Sequence, residues 1–407
     1  MTLEQILDRV LVPRPNGSAE LERVAGFLAD GLARAGAQVS AHAFFATPHG
    51  FALAWSAALA LMLGYVAAIA TRRYALALGL ITATATMLLL EFELLRSPVS
   101  GLLPLVEHNV VGSFPARAGA PVLLFSAHYD TTTHFGDHFS WGRWGFLQGP
   151  ATAAAVGLAL AGLWRRRRGR RLPQRIALPV AAASVLPFAA MFWFQTLGPL
   201  LRAPSPGAID NGGSVAALLR LAETLPPRTD SSPIEVRIVF FAAEEERTLG
   251  SWAYARELAR ERPVVAINLE SVGASDTLAF IPEDGFALRR FRSPEPLVAF
   301  VNEAAHALWG VDLPARALPA GTLTDGRSFL AHGIPALTLR AFSAEGFPRR
   351  LHSLHDARER LSLPAIERSV LLLRALVASA DAGPERLAAL GGRGSGSAAL
   401  PARHGLP

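Results

Sequence analysis

Four long apolar stretches in two close pairs constrain the fold of this 407-residue chain more than any other feature. The first pair is Phe51–Ala70 and Tyr74–Leu90, and the second is Gly145–Trp164 and Ile176–Leu201. A helix needs about 20 apolar residues to cross the hydrocarbon layer of a bilayer. Helices buried in a soluble core are the alternative. The close pairing favours two transmembrane helical hairpins, as does a charged fraction of only 18%, against about 25% in soluble domains.

A short basic loop joins the two stretches of each pair. The first loop contains Arg72 and Arg73, and the second has a run of seven Arg between Arg165 and Arg175. Because positive loops remain cytoplasmic, the sequence predicts a multi-pass membrane protein whose other residues lie on the exoplasmic side. The arginine run alone accounts for the net charge of +6. We therefore predict the lipid bilayer as a partner and no nucleic acid.

The remaining sequence alternates short apolar strands with helical patterns. This alternation predicts an α/β fold, with a mainly parallel mixed sheet sandwiched by helices. A first amphipathic helix is predicted over Ser18–Ala35, with Ser18 as its N-cap. The predicted strands are Asn109–Phe114, Val122–Tyr129, Glu235–Ala243, Val264–Ser271 and Ala336–Ala341, and the later predicted helices are Gly213–Leu225, Leu249–Glu261, Pro296–Trp309 and Pro364–Ala380.

Acidic and imidazole side chains follow three of these strands. In sheets of this kind, ligands bind beyond the carboxyl ends of the strands. Each motif alone is weak, since charged residues at strand ends are usually caps. The whole set contains two histidines, several carboxylates and no cysteine, a combination that suits zinc. Its members are His128 and Asp130 after one strand, Glu244 and Glu245 after the next, Glu270 after a third, Asp210 before a helix, and His352 near the end of the domain.

The order of these motifs resembles that of the family-28 metallopeptidases, a family of di-zinc aminopeptidases. The matching segments include SAHYD, PGAIDNGG, VRIVFFAAEEERTLGS, INLESVG and LHSLHD. The apolar hairpins and the NLE variant look most similar to the multi-pass endoplasmic-reticulum branch. This resemblance implies a zinc-exopeptidase (phosphorylase/hydrolase-like) fold, here with two inserted transmembrane hairpins.

The resemblance also implies two Zn²⁺ ions per chain and a role for each motif. Glu244 would be the general base, and Asp130 would orient the first histidine ligand. The implied metal ligands are His128 and Glu270 for one ion, Glu245 and His352 for the other, and Asp210 as the bridge. His355 is the rival to His352.

Four positions depart from the family pattern. Arg247 and Thr248 replace the Gly and Leu of the usual Glu-Glu-x-Gly-Leu run. Leu351 stands where some members place a Tyr that donates to the oxyanion, and Glu270 stands where many have Asp.

The two hairpins interrupt the predicted peptidase domain. Residues 99–144 contain the first metal motif and end in a segment with His134, Asp137 and His138. We predict that segment to be a polar interfacial loop rather than a third metal site. The predicted divisions are 1–47 (peptidase domain), 48–98 (first hairpin), 99–144 (peptidase domain), 145–201 (second hairpin), 202–382 (peptidase domain) and 383–407 (flexible tail).

The sequence predicts a membrane-bound zinc exopeptidase that hydrolyses peptides, most simply an aminopeptidase. Three alternatives remain. A glutaminyl-cyclase-like enzyme would use one zinc, and metal content per chain separates the two. A non-catalytic receptor or scaffold would be expected to have lost ligands. A transporter is disfavoured because the four apolar stretches contain almost no charge.

Overall fold

A seven-stranded mixed sheet organises the α/β part of the chain. The computed structural model describes residues 1–136, 138–259, 263–319, 321–343 and 346–392, without the side chains of 138–141. The strand order is β1-β2-β4-β3-β5-β9-β6, and β7 and β8 form a separate two-stranded sheet. The strands are β1 (Gln38–Ala46), β2 (Leu105–Ser113), β3 (Val122–His128), β4 (Glu235–Phe241), β5 (Val264–Glu270), β6 (Leu278–Ile281), β7 (Glu283–Gly285), β8 (Arg290–Arg292) and β9 (Ala336–Ala341).

The centre of the sheet is parallel and its edges are antiparallel. Strands β4, β3, β5 and β9 are parallel to one another, whereas the β1–β2, β2–β4 and β9–β6 pairs are antiparallel. The predicted mainly parallel sheet is therefore correct only for these four strands. The edge strand β1 lacks a continuous apolar run because most of its residues are exposed. It gives no signal of a buried strand.

Helices cover both faces of the sheet. Along β3, Leu123 and Phe125 pack into the core on one face, and Val122 and Leu124 pack on the other, as the two-residue period of a strand requires. The larger core contains residues of α1, α2, α8, α10 and α12, and the smaller one contains residues of α9 and α11. The helices of this part are α1 (Leu3–Val10), α2 (Ala19–Arg34), α8 (Gly213–Thr224), α9 (Leu249–Leu258), α10 (Glu295–Trp309), α11 (Gly326–Ala331), α12 (Leu363–Ala382) and α13 (Pro384–Gly391).

The four apolar stretches form two helical hairpins. The first consists of α3 (Gly50–Ala70) and α4 (Tyr74–Leu88), and the second of α5 (His138–Arg167) and α6 (Gln174–Phe192). A π-helical turn extends each returning helix, over Leu89–Glu93 and Trp193–Leu197, and the short α7 (Gly198–Leu201) follows the second turn. Within the described part of the chain, four helices are long and apolar enough to cross a membrane, by length and composition alone: Gly50–Ala70, Tyr74–Glu93, Gly142–Arg167 and Gln174–Leu201.

The hairpins pack on one another and form their own apolar core. Trp55, Met62 and Tyr65 of α3 are buried there together with Phe188 of α6. Large apolar side chains also point outward, and Leu63 and Leu186 are both 56% exposed. Helices that are apolar on every face are typical of a membrane span or a large buried core. The predicted domain boundaries themselves remain predictions.

The predicted flexible tail is wrong at its start. Residues 384–391 form α13, whose Leu387 is only 1% exposed. Arg386 donates to both carboxylate oxygens of Glu303 on α10, at 2.6 and 2.7 Å. The Gly- and Ser-rich composition that suggests a tail belongs mainly to residues after 392, which lie outside the described part of the chain.

Candidate metal centre

Three neighbouring parallel strands deliver the predicted site residues to one edge of the sheet. His128 and Glu270 are the last residues of β3 and β5, and β4 ends three residues before Glu244. His128 and Glu270 are 1% and 2% exposed, because the strands that carry them are buried throughout.

Asp210 lies between the two predicted histidine ligands. Its Oδ1 is 3.1 Å from His128 Nε2, and its Oδ2 is 3.0 Å from His352 Nε2. Each carboxylate oxygen thus faces a different imidazole. This is the arrangement expected of a carboxylate that bridges two ions.

The three glutamates divide between the two histidines. Glu245 Oε2 is 3.1 Å from His352 Nε2. Glu270 Oε2 and Glu244 Oε2 are 3.8 and 3.9 Å from His128 Nε2. The structure therefore brings all five predicted ligands and the predicted base together in one cluster.

Asp130 holds the first histidine and the two adjacent glutamates in place. Its Oδ1 is 3.5 Å from His128 Nδ1 and accepts from the backbone N–H of Glu244 at 3.2 Å. Its Oδ2 accepts from the backbone N–H of Glu245 at 3.2 Å and from Asn16 Nδ2 at 2.9 Å. A carboxylate behind a ligating imidazole fixes the ring orientation, which is the role predicted for Asp130.

A second buried carboxylate holds Asp210, the predicted bridge. Asp356 accepts from the backbone N–H groups of Ile209 at 2.8 Å and Asp210 at 3.1 Å. Beside it, the fully buried Arg14 donates to the carbonyl oxygens of Pro206 at 2.8 Å and Gly207 at 3.2 Å. Nothing in the local sequence signals the burial of Arg14, because the residue stands between two prolines in a segment without apolar periodicity.

The buried acidic groups strongly perturb one another. Burial raises the pKa of Glu244 well above its usual value, and the nearby Glu270 raises it further. Burial also raises the pKa of Glu270 to about 7. Burial alone would lower the pKa of His352, but Glu245 and Asp210 reverse this effect and raise it to about 10. A cluster with these shifts has a strong demand for positive charge.

The donor set fits zinc. His128, Asp210 and Glu245 each offer a ligand atom, and these atoms lie within 4.8 Å of one another; the same holds for His128, Glu244 and Glu270. Glu245 Oε1 is buried and has no hydrogen-bond partner among the described residues, which leaves it available to a cation. Imidazole nitrogens and carboxylate oxygens are ordinary zinc ligands. The count of two ions per chain remains a prediction.

Two further buried residues lie near the centre. Asp325 is fully buried, and both of its oxygens lack a hydrogen-bond partner among the described residues. Burial raises its pKa well above the usual value. No spacing rule in the sequence links Asp325 to the predicted ligands. Asp325 adds to the negative charge that a cation would neutralise.

His134 is the second of these residues. It is 5% exposed, and its Nδ1 lies 3.0 Å from His352 Nδ1. Its backbone N–H donates to the carbonyl oxygen of His352 at 3.0 Å. His134 therefore packs behind the candidate ligand, within a segment that has no helix or strand, and the interfacial position of that segment remains a prediction. Asp137 and the side chain of His138 lie outside the described residues.

The C-terminal motif separates its two histidines. His352 is 5% exposed and faces Asp210, whereas His355 is exposed. The preceding Leu351 is fully buried in an apolar cluster with Ile209 and Phe347. Leu351 offers no donor to a substrate.

A cavity of about 100 Å³ opens beside Glu244, Glu245 and His352. Its wall is largely aromatic, because Phe92 is stacked on Trp55 at 5.3 Å, on Phe51 at 5.7 Å and on Phe286 at 5.9 Å between ring centroids. The described residues that line it are Phe51, Trp55, Phe92, His134, Met191, Gln195, Glu244, Glu245, Arg247, Phe286, Gly321, Thr322, Leu323 and His352. Both hairpins therefore contribute to the surface next to the candidate metal centre.

Residues 193–377 match peptidase family M28. This range contains Asp210, Glu244, Glu245, Glu270 and His352, and it ends inside α12. The predicted resemblance to family-28 metallopeptidases is confirmed. That the chain is most similar to the membrane-bound branch of this family remains a prediction. No curated protein sequence matches the chain.

Solved structures share the fold at low sequence identity. A Zn-dependent exopeptidase from Parabacteroides distasonis is 18% identical, with a TM-score of 0.53 over 92% of this chain and 96% of its own. A zinc aminopeptidase from Bacillus subtilis is 14% identical, with a TM-score of 0.52 over 93% and 94%. The glutaminyl cyclase of Porphyromonas gingivalis is 16% identical, with a TM-score of 0.52 over 93% and 95%. The mixed sheet with its helices is thus the zinc-exopeptidase fold.

Proposed function

We propose that this chain, a zinc metallopeptidase of peptidase family M28, is a di-zinc aminopeptidase held in a membrane by its two apolar hairpins. The observation that carries the di-zinc assignment is the position of Asp210. Its Oδ1 faces His128 Nε2 at 3.1 Å, and its Oδ2 faces His352 Nε2 at 3.0 Å. Glu244 Oε2 lies 3.9 Å from His128 Nε2.

The mechanism follows from the groups around the scissile bond. When bound, zinc would polarise the substrate carbonyl and lower the pKa of an attacking water. His128, Asp210 and Glu270 would hold one ion, and His352, Asp210 and Glu245 the other. Glu244 accepts the proton of the water and returns it to the leaving amine, because its carboxylate lines the cavity and lies 3.9 Å from His128 Nε2.

The charges around the cavity favour an aminopeptidase over a carboxypeptidase. A carboxypeptidase needs a cation that holds the free C-terminal carboxylate. Among the described residues that line the cavity, Arg247 is the only arginine, and its Nη1 is paired with Glu91 Oε2 at 2.7 Å. A free N-terminal amine needs no such cation. This reading is consistent with the aminopeptidases that share the fold.

The aromatic wall of the cavity favours an apolar N-terminal residue in the substrate. The cavity volume of about 100 Å³ is smaller than that of the roughly 150 Å³ apolar cavity known to hold benzene. A flexible aliphatic side chain such as that of leucine or methionine therefore fits better than an aromatic one.

Purified detergent-solubilised protein is expected to release leucine or methionine from aminoacyl amides and to lose this activity with a zinc chelator. The N-acetylated forms of the same substrates should not be cleaved, because they lack the free amine. Release of C-terminal residues only would contradict the aminopeptidase assignment. Cyclisation of N-terminal glutamine without peptide hydrolysis, with one zinc per chain, would favour the glutaminyl-cyclase alternative.

The arginine loops carry the proposal for membrane topology. If both loops are cytoplasmic, a reporter fused within 165–175 is expected on the cytoplasmic side, and a reporter fused after Leu400 on the exoplasmic side. Protease protection of the two fusions in intact membranes measures this. Both reporters on one side would reject the hairpin arrangement, and the reverse placement would put the metal centre in the cytoplasm.

A further inference from the structure

The loop Ala243–Thr248, called the base loop below, carries both Glu244 and Glu245. Its backbone adopts the left-handed region at three non-glycine residues: φ is +56° at Ala243, +73° at Arg247 and +63° at Thr248. Residues with side chains rarely adopt this region, and they do so where the surrounding structure enforces it. At position 247 the family pattern has Gly, which would need no such support.

The first hairpin supplies support to the base loop through Arg247. Nη1 of Arg247 donates to Glu91 Oε2 at 2.7 Å, and Nη2 donates to Ser100 Oγ at 2.8 Å and Thr47 Oγ1 at 3.0 Å. The side chains of Arg247 and Glu91 are 4% and 0% exposed. This ion pair joins the base loop to the π-helical turn at the end of the first hairpin.

Glu91 is fixed from the other side as well. Its Oε1 accepts from the backbone N–H groups of Val99 at 2.7 Å and Ser100 at 3.0 Å, and its Oε2 accepts from Ser100 Oγ at 2.6 Å. A buried carboxylate with this many donors has one well-defined position. Arg247 therefore binds to a rigid point rather than to a mobile side chain.

The residue before Arg247 reaches the start of the same hairpin. Glu246 Oε2 accepts from the backbone N–H of Thr47 at 2.6 Å, three residues before α3 begins. Two successive residues of the base loop are thus bonded to the two ends of the first hairpin. The residues immediately before them are the predicted base and a predicted ligand.

We infer that the first hairpin clamps the base loop, and that Glu91 and Arg247 are positioning residues for Glu244 and Glu245. The inference rests on the proposed function, since it concerns the same site. The hairpin then has a role in the active site in addition to any role as an anchor. The substitution of Gly by Arg at position 247 is explained by the same contact, because only a long cation reaches Glu91 and Ser100 from the base loop.

The test measures zinc affinity and kcat in a Glu91→Gln variant. Partners that orient ligands typically contribute about 10- to 100-fold to metal affinity or activity. We expect the affinity of the more weakly bound zinc, and kcat, each to fall by about that factor, with KM little changed. Asp381→Asn is the matched control, because Asp381 pairs with the buried Arg228 at 2.6 Å and lies on α12 outside the metal centre. It should change neither quantity.

A double variant separates positioning from a general effect on folding. Glu91→Gln with Arg247→Met removes both charges, so no buried charge is left without a partner. We expect its thermal stability to recover towards wild type while zinc affinity and kcat remain low. Arg247→Lys keeps a positive charge opposite Glu91 but loses the forked contacts, and an intermediate loss is expected.

Wild-type zinc affinity in both the double variant and Arg247→Lys would overturn the inference, as would an equal loss in Asp381→Asn. If the single Glu91→Gln variant does not fold, these two variants still decide the question. Zinc affinity does not depend on the substrate. A wild-type protein without aminopeptidase activity would therefore contradict the proposed function. The zinc affinities of the variants would still decide whether the first hairpin positions the base loop.

Discussion

Replacing Glu244 with Gln is expected to lower kcat by about 10²- to 10⁴-fold while zinc stays bound, because general acid–base catalysis contributes about that much. Gln preserves the shape of the side chain and its backbone N–H bond to Asp130 at 3.2 Å, but it cannot accept the proton of the attacking water. The measurement is kcat on a leucine amide substrate, together with zinc content per chain by mass spectrometry.

Two outcomes of this experiment would contradict the mechanism. Retained activity would show that another group accepts the proton. The nearby Asp325 would be the first candidate, since it is buried and has a raised pKa. Loss of zinc would show that Glu244 is a ligand, an arrangement that its 3.9 Å distance from His128 Nε2 would permit.

His352→Ala is expected to remove about one zinc per chain and abolish activity. The methyl group leaves Asp210 Oδ2 and Glu245 Oε2, which now lie 3.0 and 3.1 Å from His352 Nε2, without their imidazole partner. The other ion is expected to persist through His128, Asp210 and Glu270. Zinc stoichiometry, measured after dialysis against metal-free buffer, checks this.

His355→Ala is the matched control, three residues away in the same motif. His355 is exposed, and we expect its loss to leave zinc content unchanged and activity only modestly altered. Full metal content in His352→Ala, combined with a deficit in His355→Ala, would reverse the assignment and the alignment of the whole C-terminal motif.

Much of the fold follows from apolar patterning in the sequence. The strand Ala336–Ala341 has the predicted bounds, and α2 begins after Ser18, whose Oγ accepts from the backbone N–H of Leu21 at 3.1 Å. These elements are long or flanked by strong signals. The strands β6 to β8 are only three or four residues long, too short for any periodic pattern to appear.

The residues in contact with the metal centre were easier to predict than their supports. His128 and Glu270 stand at the carboxyl ends of apolar strands, which is where sheets of this kind bind their ligands. His134 lies 218 residues from His352 in sequence, and Arg247 lies 156 residues from Glu91. Contacts between such distant segments depend on how the hairpins pack, and no local pattern encodes that packing.

The shared cavity wall has an evolutionary consequence for the helices that form it. On α3, Trp55 faces the cavity while Leu63, two turns further along, points outward. If the hairpins lie in a membrane as proposed, selection on the outward positions concerns hydrophobicity alone and tolerates exchange among Leu, Ile, Val and Phe. Selection on Phe51, Trp55 and Phe92 concerns the shape of whatever molecule is cleaved. Among homologues, substrate preference should therefore change together with a few positions at the ends of these hairpins. The rest of each helix should exchange one apolar residue for another without an effect on substrate preference.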